Sequence, residues 1–191
     1  LQESPGKITR ELKLVREYSI ETTRTLSTAK RISRPAAPKL QTEHPVLCWC
    51  EKTEGDWTLK LFSEDAISTV MECETYLAEP VVAVYKQRPL CACTSSSADG
   101  REVLVVDADG NEMYRSNGMR PVLSTAGQQW FLLYEYYDPQ ADGYRLRLVV
   151  FENDSLQREI DLPPADDMNM HGDLACNQSS GDIWVVHESS P

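Results

Sequence analysis

The stretch Pro121–Leu162, PVLSTAGQQWFLLYEYYDPQADGYRLRLVVFENDSLQREIDL, decides the fold. It divides into four short apolar segments, Pro121–Gly127, Gln129–Tyr137, Tyr144–Asn153 and Leu156–Leu162. In the third, Tyr144, Leu146, Leu148 and Val150 fall on one side while Arg145 and Arg147 fall on the other. That period of two is imposed by the pleat of a strand. Asp142-Gly143, between the second and third segments, supplies the positive φ angles of a tight hairpin. Four strands joined by such turns predict a meandering antiparallel sheet.

The same unit precedes it. Pro80–Lys86, Arg88–Ser95, Arg101–Asp107 and Asn111–Arg115 repeat the pattern, starting 41 residues earlier. That spacing suits a four-stranded propeller blade. A proline followed by two apolar residues recurs as Pro45-Val46-Leu47, Pro80-Val81-Val82, Pro89-Leu90-Cys91 and Pro121-Val122-Leu123. Upstream, Pro45–Cys73 has room for about three strands, among them Val46–Cys50 and Trp57–Phe62. Downstream, Asp173–Glu188 holds two, joined by a turn at Ser179-Ser180-Gly181-Asp182. Glu54-Gly55, Asp99-Gly100 and Asp109-Gly110 mark further hairpins. The expected fold is therefore all-β: a partial β-propeller of about three four-stranded antiparallel blades, with strands running three, four, four, two. Closed propellers need about four to eight blades. The final pair would leave Trp184 and Val186 facing a neighbour outside this chain, and soluble proteins avoid bare sheet faces and edges. A complementing partner, identical or not, is expected.

These repeats resemble the open-ended propeller repeats of bacterial Tol-type and prolyl-oligopeptidase-type proteins. The resemblance lies in Pro121-Val122-Leu123, Trp130-Phe131-Leu132-Leu133-Tyr134, Asp142-Gly143-Tyr144 and Gly181-Asp182-Ile183-Trp184-Val185-Val186, and it covers about residues 45–190. It implies either a module that binds another protein or the accessory domain of a larger hydrolase. The second would require a Gly-x-Ser-x-Gly segment further along the same gene.

Composition divides the chain into three parts: an arm over 1–34, a proline-punctuated linker over 35–45, and the blades over 46–191. Residues 1–40 carry nine Lys/Arg against four Glu, whereas the rest of the chain is strongly acidic and brings the net charge to −11. Glu3, Glu11, Glu17 and Glu21 dilute the basic arm, which lacks interleaved aromatic or Arg-rich clusters. It therefore reads as a solvated or docked segment rather than a nucleic-acid-binding one. Leu12, Leu14, Tyr18, Ile20 and the Thr-rich run after them favour extended structure from Leu12 onward, against a helical alternative through Ile8, Leu12 and Val15. No apolar run is long enough for a membrane-spanning helix.

The candidate chemistry is sparse. Cys48, Cys50, Cys91 and Cys93 form two Cys-x-Cys pairs in successive blades, with Cys73 and Cys176 apart. Zinc pairs usually sit on turns with wider spacing, so buried core thiols are the better account, and unpaired strand cysteines point to a reducing, cytoplasmic setting. Asp107-Ala108-Asp109-Gly110-Asn111 opens like a calcium loop, but Gly118 stands where the bidentate Glu belongs, which leaves a hairpin turn. His44, His171 and His187 have no nucleophile elbow to serve, and His171 is expected to cap the entry to an inner strand. Asp166-Asp167 reads as a solvated connection. Asn153-Asp154-Ser155 and Asn177-Gln178-Ser179 satisfy the glycosylation sequon. Trp130, Phe131, Tyr134, Tyr136, Tyr137 and Tyr144 suit a blade-to-blade core better than a sugar platform. No catalytic, cofactor-binding or metal-ligating residue is assigned. The reading favours a non-enzymatic, protein-binding propeller module, with a hydrolase accessory domain and a carbohydrate-binding propeller as alternatives.

Overall fold

The structure, a computed structural model, describes residues 12–15, 23–39, 42, 44–163 and 168–190. It is all-β, with three four-stranded antiparallel sheets and two two-stranded ones. The first blade contains β3 (Arg31–Ile32), β4 (Leu47–Lys52), β5 (Trp57–Ser63) and β6 (Ala66–Cys73). The second contains β7 (Tyr76–Tyr85), β8 (Arg88–Ser97), β9 (Gly100–Asp107) and β10 (Glu112–Asn117). The third contains β11 (Met119–Ala126), β12 (Gln129–Asp138), β13 (Gly143–Glu152) and β14 (Ser155–Asp161). A half-blade, β15 (Met168–Cys176) and β16 (Ile183–Ser190), follows. Before them, β1 (Leu12–Val15) pairs with β2 (Thr23–Ser27), so this part of the arm is extended, as its β-branched residues suggest. Leu12 and Val15 in β1 and Leu26 in β2 are thus not on the helix that their spacing with Ile8 allowed; Ile8 itself and the pair Asp166-Asp167 lie outside the described residues.

The strand order is thus four, four, four, two rather than three, four, four, two. The additional strand of the first blade comes from Arg31–Ile32, and Ala36 forms an antiparallel bridge to Cys48. Residues assigned by composition to the arm and linker therefore supply the inner edge of the first blade. The four prolines also divide. Pro80 and Pro121 lie in the first strands of their blades, whereas Pro45 and Pro89 stand at second strands, just before β4 and near the start of β8.

Stacking is what makes the sheets a propeller. Each central strand presents alternate residues to opposite neighbours. Cys91 and Cys93 of β8 pack toward the first blade with Cys48, Cys50, Leu59 and Leu61, while Leu90 and Ala92 pack toward the third with Leu123, Trp130 and Leu132. Phe131 and Leu133 of β12 in turn join Leu146, Leu148 and Leu174 against the half-blade. The first part of the aromatic run is core, as expected: Trp130, Phe131 and Tyr134 are fully buried, and Trp130 stacks on Phe151 with ring centroids 3.7 Å apart, whereas Tyr136 and Tyr144 are half-buried and Tyr137 is exposed. At the opposite end, Leu26 of β2 covers Trp49 and Phe62 on the outer face of the first blade. Among the described residues, none covers the face of the half-blade bearing Trp184 and Val186, which are 52% and 70% exposed.

The hairpins use both expected and unexpected chemistry. Gly110 and Gly181 have positive φ, as their turns require. Three other hairpins achieve the same twist without glycine, at Glu64-Asp65, Lys86-Gln87 and Asn153-Asp154, where both central residues have φ between 48° and 66°. Asp107 closes its turn by accepting hydrogen bonds from the backbone N–H groups of Asp109 and Asn111 and from the Asn111 amide.

Two carboxylates link this framework to pH. The Arg147 guanidinium, 2.6 Å from Asp161, holds that carboxyl below its ordinary range. Burial alone would raise Asp107, but the hydrogen bonds from Asn111, Asp109 and Gly110 outweigh it and hold the group low as well. A carboxyl with a depressed folded-state pKa contributes stability that is complete above its unfolded value, near 4, and is lost as pH falls through the lower folded value. The urea midpoint should therefore hold steady from about pH 7 to 5 and decline from about pH 4 downward. Asp161→Asn should lower the neutral-pH midpoint and make that acid decline shallower, as read from urea curves collected across the series.

Candidate binding site at the inner-strand bulges

The inner strands β7, β11 and β15 share one irregularity. Register slips between Ala78 and Val81, between Met119 and Val122, and between Met170 and Asp173. At each slip one residue takes the left-handed conformation: Glu79 at φ 52°, Arg120 at 54° and His171 at 53°. Such φ values in non-glycine residues carry strain, which persists only where surrounding contacts hold it. The residue after each bulge is Pro80, Pro121 or Gly172. Proline fits because it has no N–H to pair. Gly172 fits because a Cβ there would come within 2.6 Å of the Leu133 side chain.

Polar side chains from the second strands hold the bulges in place. The Arg120 N–H donates both to Thr94 Oγ1 at 3.1 Å and to Glu79 Oε2 at 3.0 Å. The His171 N–H donates to Glu135 Oε1 at 2.7 Å. Glu135, only 1% exposed, also accepts from Arg120 Nη1 through both oxygens, at 3.0 and 3.2 Å. Thr94 Oγ1 donates to Glu79 Oε2 at 2.7 Å, and Arg120 Nε lies 3.7 Å from Glu79 Oε1. Glu79, Thr94, Arg120, Glu135 and the backbone of His171 thus form one connected network spanning three successive sheets. His171 thus lies within an inner strand, at its bulge, rather than capping the strand's entry, and it joins the network through its main chain.

Beside this network lies an open cleft of about 900 Å³. One wall is the chain of Ser33, Arg34, Pro35 and Ala36 leading out of the first blade; the other comes from Tyr76, Ala78 and Glu79 of β7 and Thr94, Ser96 and Ser97 of β8, with Gly100 and Arg101 at the start of β9. The Tyr76 ring, 50% exposed, meets Trp57 edge-to-face with centroids 4.7 Å apart. It is therefore held in place and still open to the cleft. Glu79 is the carboxylate that reaches the cleft directly.

The residues singled out in the sequence lie elsewhere. Cys48, Cys50, Cys91 and Cys93 are fully buried free thiols between the first and second blades. Contact with Cys91 and Cys93 respectively, together with burial, pushes the Cys48 and Cys50 thiols well above their ordinary value. Among the described residues, no group of three or more His, Cys, Asp or Glu is arranged to hold a metal ion. His44 is exposed, and His187 lies in β16, the second strand of its blade. Asn153 is at a hairpin tip, and Asn177 accepts the N–H groups of Ser179 and Ser180. No helix is long and apolar enough to cross a membrane. The cleft residues escaped notice because nothing local marks them. Pro80 and Pro121 were visible as a repeat, but Glu79 and Arg120 gain meaning only once the bulges align.

No family model matches the chain, and no curated protein matches it. Two solved structures are similar in fold. An exo-1,5-α-L-arabinanase from a bovine ruminal metagenomic library aligns with a TM-score of 0.47 and 12% identity over 82% of this chain and 68% of its own. An α-L-arabinofuranosidase from Lactobacillus brevis aligns at 0.45 and 10% over 87% and 70%. This finding corrects the expectation of a chain without catalytic machinery: both similar structures are those of enzymes. At these identities the likeness concerns the fold alone.

Truncating Glu135 should be costly, because Arg120 and the His171 N–H would lose a buried, charged acceptor. Glu135→Ala is expected to destabilise by about 3–5 kcal/mol, as for a broken buried ion pair. Glu135→Gln, which keeps an acceptor for His171, should cost less. Urea denaturation of both variants measures the difference, and equal losses would contradict the network.

Proposed function

We propose that this chain is the ligand-binding sector of a propeller, and that the cleft between its first and second blades takes a saccharide. The observation that carries this reading is Tyr76: a half-exposed aromatic ring, fixed by Trp57, on the wall of a cleft whose lining includes the hydroxyls of Ser33, Thr94, Ser96 and Ser97. A sugar presents an apolar C–H face and a rim of hydroxyls, and an aromatic wall beside side-chain hydroxyls complements both. The cleft volume lies within the range of about 300–1,000 Å³ usual for small-ligand sites. Glu79 adds an acceptor already oriented by Thr94 and Arg120. A glycan array followed by calorimetry on the strongest hit tests the proposal. Tyr76→Ala should weaken binding at least about tenfold while leaving the circular dichroism spectrum unchanged. A blank array, or a variant that binds as well as the parent, would refute the reading.

A second reading concerns assembly and rests on the uncovered face of the half-blade. Trp184 and Val186 are exposed there, whereas the corresponding faces of the other sheets are packed against a neighbour. This supports a further sheet from another polypeptide, identical to this one or not, stacking on β15–β16. Trp184 fluorescence should shift to the blue on assembly. Replacing both residues with Asp should abolish any complex seen by native mass spectrometry, and a complex that survives the double substitution would place the interface elsewhere.

A further inference from the structure

The cleft has a charge character that its hydroxyls do not explain. Arg34 and Arg101 stand on its two walls, both exposed. Among the described residues, neither has a carboxylate within ion-pair distance, although Arg88, Arg115, Arg120, Arg145 and Arg147 each do. Arg31 and Arg158 share this condition but line no part of the cleft. In a chain of net charge −11, two arginines facing one cavity without an acidic partner are conspicuous. The acids nearby are already engaged. Glu79 receives the Thr94 hydroxyl and the Arg120 N–H, and Glu102, next to Arg101 in sequence, is turned to Arg115 at 2.8 Å. Arg101 itself is steadied by Met119, whose sulfur lies 2.9 Å from Nη1 and offers a weak acceptor without charge.

We infer that the saccharide taken by this cleft is acidic, with Arg34 and Arg101 receiving the carboxylate of a uronic acid residue while Tyr76 lies against its ring. This rests on the saccharide reading above and specifies its ligand class. The guanidinium group is planar and presents paired N–H donors that match the two oxygens of a carboxylate, and charge-assisted hydrogen bonds of this kind are stronger than neutral ones. A neutral sugar would offer the two cations only uncharged hydroxyl acceptors, which bind a guanidinium less strongly than a carboxylate does. Glu79, the carboxylate on the cleft side, is engaged by Thr94 and Arg120 rather than by Arg34 or Arg101.

The test compares two probes of equal length, a neutral β-1,4-galactotriose and trigalacturonate, by calorimetry at low and moderate salt, with inorganic phosphate as a third probe. Trigalacturonate should bind at least about tenfold more tightly, and its advantage should shrink as salt rises. Arg34→Gln and Arg101→Gln should each remove most of that advantage, lowering trigalacturonate affinity more than galactotriose affinity, with the circular dichroism spectrum as it was. Equal binding of the two trisaccharides, or a preference for the neutral one, overturns the acidic assignment and leaves the saccharide reading standing. Binding of neither overturns both. Phosphate binding that depends on the two arginines, with neither trisaccharide bound, overturns both in favour of a small inorganic anion.

Discussion

The architecture turns on a hydrogen bond between consecutive sheets. Where an inner strand bulges, its left-handed residue offers a main-chain N–H that the sheet cannot pair, and a buried polar side chain on the second strand of the preceding blade accepts it. Thr94 does this for Arg120 and Glu135 does it for His171. Apolar contact alone would let one sheet slide along the next, because packing of Val, Leu and Cys across a sheet interface is only weakly directional. A buried polar pair fixes the register, since any slip would strand both a donor and an acceptor away from water.

That constraint also sets where a ligand can be met. The bulges carry Glu79 and Arg120 out of the ladder and toward the end of the inner strands, beside the cleft formed by the Ser33–Ala36 segment and the ends of β7 and β8. Because Arg120 spends its charge on Glu135 and Glu79, it serves the framework, and the cations left to face the cleft are those at its walls. The site is therefore assembled from residues distant in sequence, from Ser33 to Arg101, held by an ion-pair network that lies mostly outside it.

Much of this framework is legible in the chain itself. The alternation of Leu146 and Leu148 with Arg145 and Arg147, and the Asp-Gly turns, are local signals of strand and hairpin, and the strands fall where those signals put them. The repeat of Pro80 and Pro121 marks equivalent inner strands, but Pro45 and Pro89 imitate it from second strands, and only pairing partners separate the two kinds. β3 was hidden because Arg31–Ile32 is too short to show a period and is polar on one side. The turns at Glu64-Asp65, Lys86-Gln87 and Asn153-Asp154 lack glycine and so carry little turn signal. The cleft was the least legible part. Tyr76, Arg34 and Arg101 are ordinary surface residues by type, and their relation depends on how two sheets stack.

A stack in which every sheet touches only the sheets beside it behaves as a one-dimensional array, with local stability set by the number of flanking neighbours. The central blades have two and the β15–β16 pair has one, tied back chiefly by Leu174, Cys176, Ile183 and Val185 and by the reach of Lys39 to Asp173 and the Leu174 carbonyl. Amide protons should accordingly exchange fastest from this terminal pair and slowest from β8 and β12. Protection is thus expected to fall along the stack, from the doubly flanked β8 and β12 to the singly flanked β15–β16.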